Sequence, residues 1–217
     1  MKRFCVIGIG NFGYHIARAL YEEGHEVTAI DMNQEKVQRI KDYCSVAIHG
    51  DAASKEFLAS QGVVDMDAVI VSTGQRSHLS TLISLFLKEL EVKKILVKAI
   101  NDDHGRILSK VGVTEVIIPE KDMAIKTARA LSYPNIVDFI PLAEDYSLTE
   151  VAPPKGFIGK DLIALNLRRT YQVTVIAIKD VLSDSFIPAP PPDYVIKDSD
   201  VLILLGTSED IENALKD

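Results

Sequence analysis

Tryptophan is absent from this 217-residue chain, and aromatic residues make up only 6% of it. Cysteine occurs twice, at Cys5 and Cys44, without C-x-x-C spacing. Two thiols in or beside apolar runs argue against a disulfide scaffold and fit a reducing compartment. No apolar run approaches the roughly 18 residues that a membrane-crossing helix needs, so direct membrane insertion is not expected. Met1-Lys2-Arg3 leads straight into an apolar run, which predicts a cytoplasmic chain without a cleavable signal peptide. His15, His49, His78 and His104 lack metal-ligand spacing and read as helix-face or loop residues. Basic charge is also scarce. Net charge is −7, and all of it falls after residue 137, where 7 Lys+Arg face 14 Asp+Glu; residues 1–137 hold 17 of each. With no basic stripe to meet a phosphate backbone, nucleic acid is excluded as an expected partner. The asymmetry points to two units with different surfaces.

What is present begins at once. The apolar run Phe4-Cys5-Val6-Ile7 ends in Gly8-Ile9-Gly10-Asn11-Phe12-Gly13, a G-x-G-x-x-G turn, and a helix-patterned segment spans 14–23. A second apolar run over 27–30 closes on Asp31, eighteen residues after Gly13, with Met32 next. This is the form of a strand–turn–helix–strand unit that holds a dinucleotide or adenosine nucleotide. Gly8 permits the tight turn, Gly10 lets backbone approach a pyrophosphate, and Gly13 lets the helix sit near the sheet with its free N–H groups aimed at phosphate. Asp31 would accept hydrogen bonds from ribose hydroxyls and repel a 2′-phosphate, disfavouring NADP.

Strand and helix signals alternate through the rest of the first part. Asn33 and Ser54 stand as helix caps, with helices over about 34–43 and from 55. Strands are expected over 45–48, 67–71, 94–100 and 115–118, and helices over 77–91 and 105–111. Near-continuous Val/Ile runs between helices predict a parallel sheet covered on both faces. The expected architecture is α/β: a doubly wound Rossmann domain of six strands over 1–137. In it, ligands lie at the carboxyl ends of strands. Those ends carry Asp51-Ala52, Ser72-Thr73-Gly74 and Lys98. Asp51 reads equally as a ribose or adenine partner and as a helix cap. Ser72 to Gly74 flanks a nucleotide or forms a plain turn, and Lys98 is a phosphate ligand or an ordinary surface lysine.

Pro119 opens a helix that should end before Tyr133-Pro134 and whose apolar residues, Met123, Ile125, Ala128 and Leu131 among them, cover more than one face. A single sheet cannot cover such a helix, which points to a second subunit. In the second part, over 138–217, residues 137–142 and 147–151 alternate as half-buried strands do, strong strands are expected over 173–179 and 201–205, and a helix over 208–215. A short helix is expected over 159–165, and Pro188 with Pro190, Pro191 and Pro192 reads as a stiff loop. This is a small α+β domain without a nucleophile–base pair.

The Gly8–Gly13 turn, His49-Gly50-Asp51-Ala52, Val69-Ile70-Val71 with Gly74, Val97-Lys98-Ala99 and Ile118-Pro119-Glu120-Lys121-Asp122-Met123 together resemble the regulatory subunits of bacterial Trk/Ktr potassium-uptake systems, members of the RCK family. The resemblance covers nearly the whole chain. It implies a non-enzymatic regulator, peripheral at the inner face of the membrane and partnered with a membrane-embedded potassium transporter. It also implies homodimers paired through the crossover helix and assembled into an octameric ring. ATP, ADP or NAD(H) in the Rossmann cleft would change the ring's shape and so transport. It further implies that Glu120 helps hold a divalent or sodium ion, against the plainer reading of a helix-dipole partner. ATP-responding members carry Arg where this chain has Asn11, which supplies no charge-assisted contact to a terminal phosphate; Arg76 is the candidate replacement. In the second domain, the resemblance implies a cyclic di-AMP cleft with Ile163, Asn166 and Arg168 at its lip, against ordinary dimer core. The alternatives are an NAD-dependent oxidoreductase using the same fingerprint and a free-standing nucleotide sensor.

Overall fold

A computed structural model describes residues 1–132, 135–143 and 145–216. The chain separates into two compact units, Met1–Lys121 and Asp122–Asp217.

In the first unit, β1 (Arg3–Ile7), β2 (Glu26–Asp31), β3 (Val46–His49), β4 (Ala68–Val71), β5 (Ile95–Lys98) and β6 (Glu115–Ile117) alternate with α1 (Asn11–Glu22), α2 (Gln34–Ile40), α3 (Lys55–Ser60), α4 (Ser77–Glu89) and α5 (Asp102–Val111). The six strands form one parallel sheet in the order β3-β2-β1-β4-β5-β6. This is the doubly wound Rossmann arrangement that the sequence predicts, with the strand order reversing between β1 and β4. Successive side chains of β1 serve opposite faces: Cys5 and Ile7 join the core under α3, α4 and α5, and Val6 joins that under α1 and α2. Strands buried on both faces need continuous apolar runs, and β4 is buried at all four positions.

Local hydrogen bonds set the helix starts. The Asn33 side chain accepts from the Glu35 and Lys36 N–H groups at 2.9 and 3.2 Å, and Ser54 accepts from Phe57 N–H at 3.1 Å. Asn101 accepts from His104 N–H at 2.9 Å, which begins α5 at Asp102 rather than at residue 105. α2 stops at Ile40 and tightens into a 3-10 turn at Lys41–Tyr43, inside the span expected to be helical.

The helix α6 (Pro119–Ser132) starts at the end of the first unit, and Met123, Ile125 and Leu131 on it are exposed. Tyr133 and Pro134, the expected stop signal, lie outside the described residues.

In the second unit, β7 (Ile136–Pro141), β8 (Tyr146–Val151), β9 (Thr174–Asp180), β10 (Ser185–Pro188) and β11 (Asp200–Thr207) make an antiparallel sheet in the order β10-β9-β11-β8-β7. β10 corrects the expectation of a proline loop at Pro188. The strand is at the sheet edge and Pro188 is its last residue, where a missing N–H costs no ladder bond. The short helices α7 (Leu162–Leu165) and α8 (Leu167–Thr170) precede β9, and α9 (Ser208–Lys216) follows β11. α7 starts three residues later than expected: Asp161 caps it through Ala164 N–H at 2.7 Å, and Gly159 sits at φ 80°. Asn166, at φ 47°, breaks the path between α7 and α8. Phe157, Leu167, Ile178, Ile196, Leu202, Leu204 and Ile211 form the core.

Candidate functional site

A cleft of about 490 Å³ opens at the carboxyl ends of β1, β2 and β4. This is where the strand order reverses, the place at which open parallel sheets bind ligands. Of the residues singled out from the sequence, Gly8, Gly10, Asp31, Met32, Asp51, Ala52, Ser72, Thr73 and Gly74 line it together. Asn11, Phe12, Gly13, Lys98 and Glu120 do not belong to its lining.

The three glycines serve different ends. Gly8 adopts φ 91°, and a Cβ there would fall 2.2 Å from the Ser72 carbonyl oxygen. A Cβ on Gly13 would fall 1.9 Å from the Gly8 carbonyl oxygen, so α1 packs on the turn itself. The fold requires both to be glycine. Around Gly10 nothing lies within 4 Å of such a Cβ, and its φ of −74° and ψ of −166° suit any residue. Its bare backbone faces open space on the cleft.

Two helices begin at this cleft without a side-chain cap. α1 follows β1 with Gly10 as its uncapped start and no acidic residue in its first turn; its ladder opens with Tyr14 N–H donating to Gly10 O at 2.8 Å. The N–H groups of Asn11, Phe12 and Gly13 therefore have no intrahelical acceptor. α4 follows β4, likewise uncapped, from Arg76. By contrast α2, α3 and α5, which start nearby or farther along the sheet, carry Asn33, Ser54 and Asn101 as caps.

Asp31 is buried, and its own chain already uses both oxygens. Oδ2 accepts from Ile9 N–H at 2.7 Å and Oδ1 from Asn33 N–H at 2.8 Å, which ties the end of β2 to the glycine turn. Each carboxylate oxygen keeps a further lone pair for a ligand hydroxyl. Lys36 Nζ stands 3.7 Å from Oδ2. Asp51 Oδ1 accepts from Ala53 N–H at 2.9 Å, a local turn bond.

Lys36, Gly50 and Arg76 complete the polar lining. The motif reading did not assign Lys36. The signal was available: a helical side chain leans toward its N-terminus, so Lys36, in the first turn after the Asn33 cap, is directed back at the β2 end. Gly50 is needed for packing, since a Cβ there would fall 2.2 Å from the Phe57 ring. Arg76 places Nη1 3.1 Å from Met32 Sδ.

Lys98 and Glu120 form a second group. The Lys98 side chain is mostly buried and its ammonium pairs with the Glu120 carboxylate, 5.9 Å from the centroid of the Phe12 ring. The hydrogen bond from Lys98 holds the Glu120 carboxyl below the ordinary glutamate range. No cluster of three or more metal-ligating side chains occurs among the described residues. In the second unit Ile163, Asn166 and Arg168 fall on one helix–corner–helix segment over 162–170, with Ile163 64% exposed.

The histidines divide. His104 is buried in the first unit, with Nδ1 accepting from Ile100 N–H at 3.3 Å and Nε2 3.3 Å from the hydroxyls of Ser80 and Thr81. Burial lowers its pKa and favours the neutral ring. His49 Nε2 lies 3.0 Å from the Met32 carbonyl oxygen, beside the cleft.

Fold and cleft together define a Rossmann unit followed by a small antiparallel α+β unit. The TrkA-N domain matches residues 4–119 and the TrkA-C domain residues 148–217. The chain is 38% identical over 211 residues to the Ktr system potassium uptake protein A of Bacillus subtilis (strain 168), covering 97% of this chain and 94% of that one. It is 39% identical over 210 residues to the Ktr system potassium uptake protein C of the same organism, with the same coverage. A structure of the GsuK channel bound to NAD shares the fold, with TM-score 0.56 and 20% identity over 100% of this chain and 38% of that one. The chain belongs to the TrkA-N/TrkA-C family, that of the regulatory subunits of Ktr and Trk potassium-uptake systems.

Proposed function

We propose that this protein is the nucleotide-responsive regulatory subunit of a potassium-uptake system. Its first unit takes an adenine nucleotide (ATP or ADP) or NAD(H) in the cleft at the ends of β1, β2 and β4. The observation that carries the reading is Gly10. The fold does not need a glycine there, and the position combines bare backbone, open space and the uncapped N-terminus of α1. That combination suits a pyrophosphate. Asp31, already oriented by Ile9 and Asn33, receives the ribose hydroxyls. Asn11 carries no charge, so a terminal phosphate gains little there and a diphosphate or dinucleotide is favoured. Lys98 stands 5.9 Å from the centroid of the Phe12 ring in α1's first turn, and it reaches phosphate on parting from Glu120.

The transporter is the membrane-embedded partner. No helix among the described residues is long and apolar enough to cross a membrane. In the proposed role the protein acts as a peripheral regulator at the cytoplasmic face, without enzymatic chemistry. The exposed Met123, Ile125 and Leu131 of α6 provide an apolar surface for pairing with a second copy, and pairs assemble into a ring, typically of eight. Under this reading residues 1–137 act as the nucleotide domain with its crossover helix, and 138–217 as the dimerisation and second-ligand domain. A divalent or sodium ion at Glu120 would displace the Lys98 ammonium and complete its ligands from phosphate or the second copy. Ile163, Asn166 and Arg168 are the corresponding surface for cyclic di-AMP. Nucleotide acts by binding one arrangement of the ring better than another.

The test is direct. Purified protein should elute as an oligomer larger than a dimer, and ADP, ATP, NADH or NAD should raise its melting temperature. A monomer indifferent to all four overturns the reading.

A further inference from the structure

Arg76 and Met32 make a contact that the topology does not otherwise require. β2 and β4 pair with β1 on opposite sides, so about 10 Å, two strand spacings, separates them. Met32 directly follows β2 and Arg76 stands five residues beyond β4. Their side chains nevertheless meet, Nη1 to Sδ at 3.1 Å, across the carboxyl end of β1, and both line the cleft. The backbones at either side are pinned: His49 Nε2 lies 3.0 Å from the Met32 carbonyl oxygen, and the Arg76 carbonyl accepts from Thr73 Oγ1 at 3.3 Å. The side chains are not pinned in this way. Met32 is 48% exposed and Arg76 is exposed. A thioether is a weak acceptor, and a guanidinium has five donors to offer something better. The strap they form opens at small cost.

Resting on the nucleotide reading above, we infer that Arg76 and Met32 are the purine-selecting pair of the cleft. The base enters between them and exchanges one weak contact for two. The guanidinium plane covers a ring face, as arginine does on aromatic systems, and the polarisable sulfur packs against the ring. Asp31, next to Met32, then holds the ribose of the same nucleoside. Arg76 thereby acts on the base and not on the phosphates, and purines gain more than pyrimidines because their stacking face is larger.

Calorimetric titration of the full-length protein with ADP and UDP tests this in the wild type and in Arg76→Leu and Arg76→Lys. Cation–π energies of this size correspond to roughly 3- to 30-fold in affinity. ADP should therefore weaken by about that factor in Arg76→Leu, UDP should weaken less, and the preference for ADP over UDP should shrink. Lysine keeps the charge but lacks the plane that stacks, so Arg76→Lys should recover only part of the loss. Unchanged ADP affinity in Arg76→Leu overturns the inference. So does full rescue by lysine, or an equal loss for ADP and UDP, either of which marks a phosphate anchor. A wild type that binds none of ADP, ATP, NADH and NAD overturns the nucleotide reading itself, and the two failures are thus distinguishable.

Discussion

Both units end strands on buried aspartates and use them differently. In the second unit Asp180 closes β9 and Asp200 opens β11, paired across the ladder. Asp200 accepts from Tyr194 Oη at 3.2 Å and from Lys197 N–H at 2.8 Å. Asp180 accepts from Leu182 N–H at 3.0 Å and from Lys197 Nζ at 3.2 Å. These donors all come from loops beside the two strands, and the network fastens the β9–β10 hairpin to β11. In the first unit Asp31 is held just as firmly by backbone, but the cations around it are loose. Lys36 reaches it only at 3.7 Å, and Arg76 rests on a thioether. A closed polar network stabilises a fold, while charge left with weak partners at a cleft is available to a ligand. The difference separates a fastener from a site.

The sharpest way to break this comparison is at the turn beneath the site. Gly13→Ala sets a methyl 1.9 Å from the Gly8 carbonyl oxygen, against backbone that cannot swing aside. The corresponding change in the second unit, Gly206→Ala, meets only side chains, Val173 at 3.2 Å and Ile211 at 3.4 Å, which can yield. The first should cost about 3 kcal/mol or more, on the scale of strain and overpacking, and the second about 1 kcal/mol or less. Urea denaturation of both variants checks the difference, and equal costs would remove the claim that the turn is built backbone-on-backbone.

Acid sharpens the comparison from the other side. Burial alone would raise the Asp180 carboxyl, but hydrogen bonds from Lys197, Leu182 N–H, Ser199 and Ser183 outweigh it and bring it down to about 2. A carboxyl lower in the folded than in the unfolded chain contributes fully above its unfolded value near 4, and loses that contribution as pH falls from about 4 toward 2. The urea midpoint should therefore decline over that window. Lys197→Met removes the largest of these opposing donors, brings the folded carboxyl back toward its unfolded value, and should flatten the decline between about pH 4 and 2. An equally steep decline in the variant would mean that Lys197 does not govern Asp180.

How much of this was legible in the sequence follows from how local each cause is. Strand identity in the first unit was readable because a parallel strand buried on both faces must be apolar at every position, as β4 is. The caps Asn33 and Ser54 were readable because a cap acts within three residues. The glycine turn and Asp31 were readable as a spaced set, although the sequence did not disclose that Asp31 also braces the turn through Ile9 N–H. β10 was missed because proline forbids a central strand and says nothing against an edge, and edge position is a property of the sheet. The Arg76–Met32 contact was missed for the same kind of reason. It joins residues 44 apart, and only the strand order brings them together over β1.

The smallest effect on stability should accompany a large effect on binding, at Gly10. A methyl there meets nothing within 4 Å, and the backbone angles suit alanine. Alanine narrows the unfolded ensemble, which stabilises, and is a poorer helix start than glycine, which destabilises; the two should leave Gly10→Ala within about 1 kcal/mol of the wild type. The same methyl occupies the approach to the free N–H groups of α1. Phosphate cannot then reach hydrogen-bond distance, and ADP affinity should fall tenfold or more, about 1.4 kcal/mol at least. Gly13→Ala makes the opposite trade, losing stability first, so the pair of variants separates what the turn does for the fold from what it does for a ligand. Urea denaturation and calorimetric titration of Gly10→Ala decide it. Full ADP affinity in a stable variant would place the phosphates somewhere other than the N-terminus of α1.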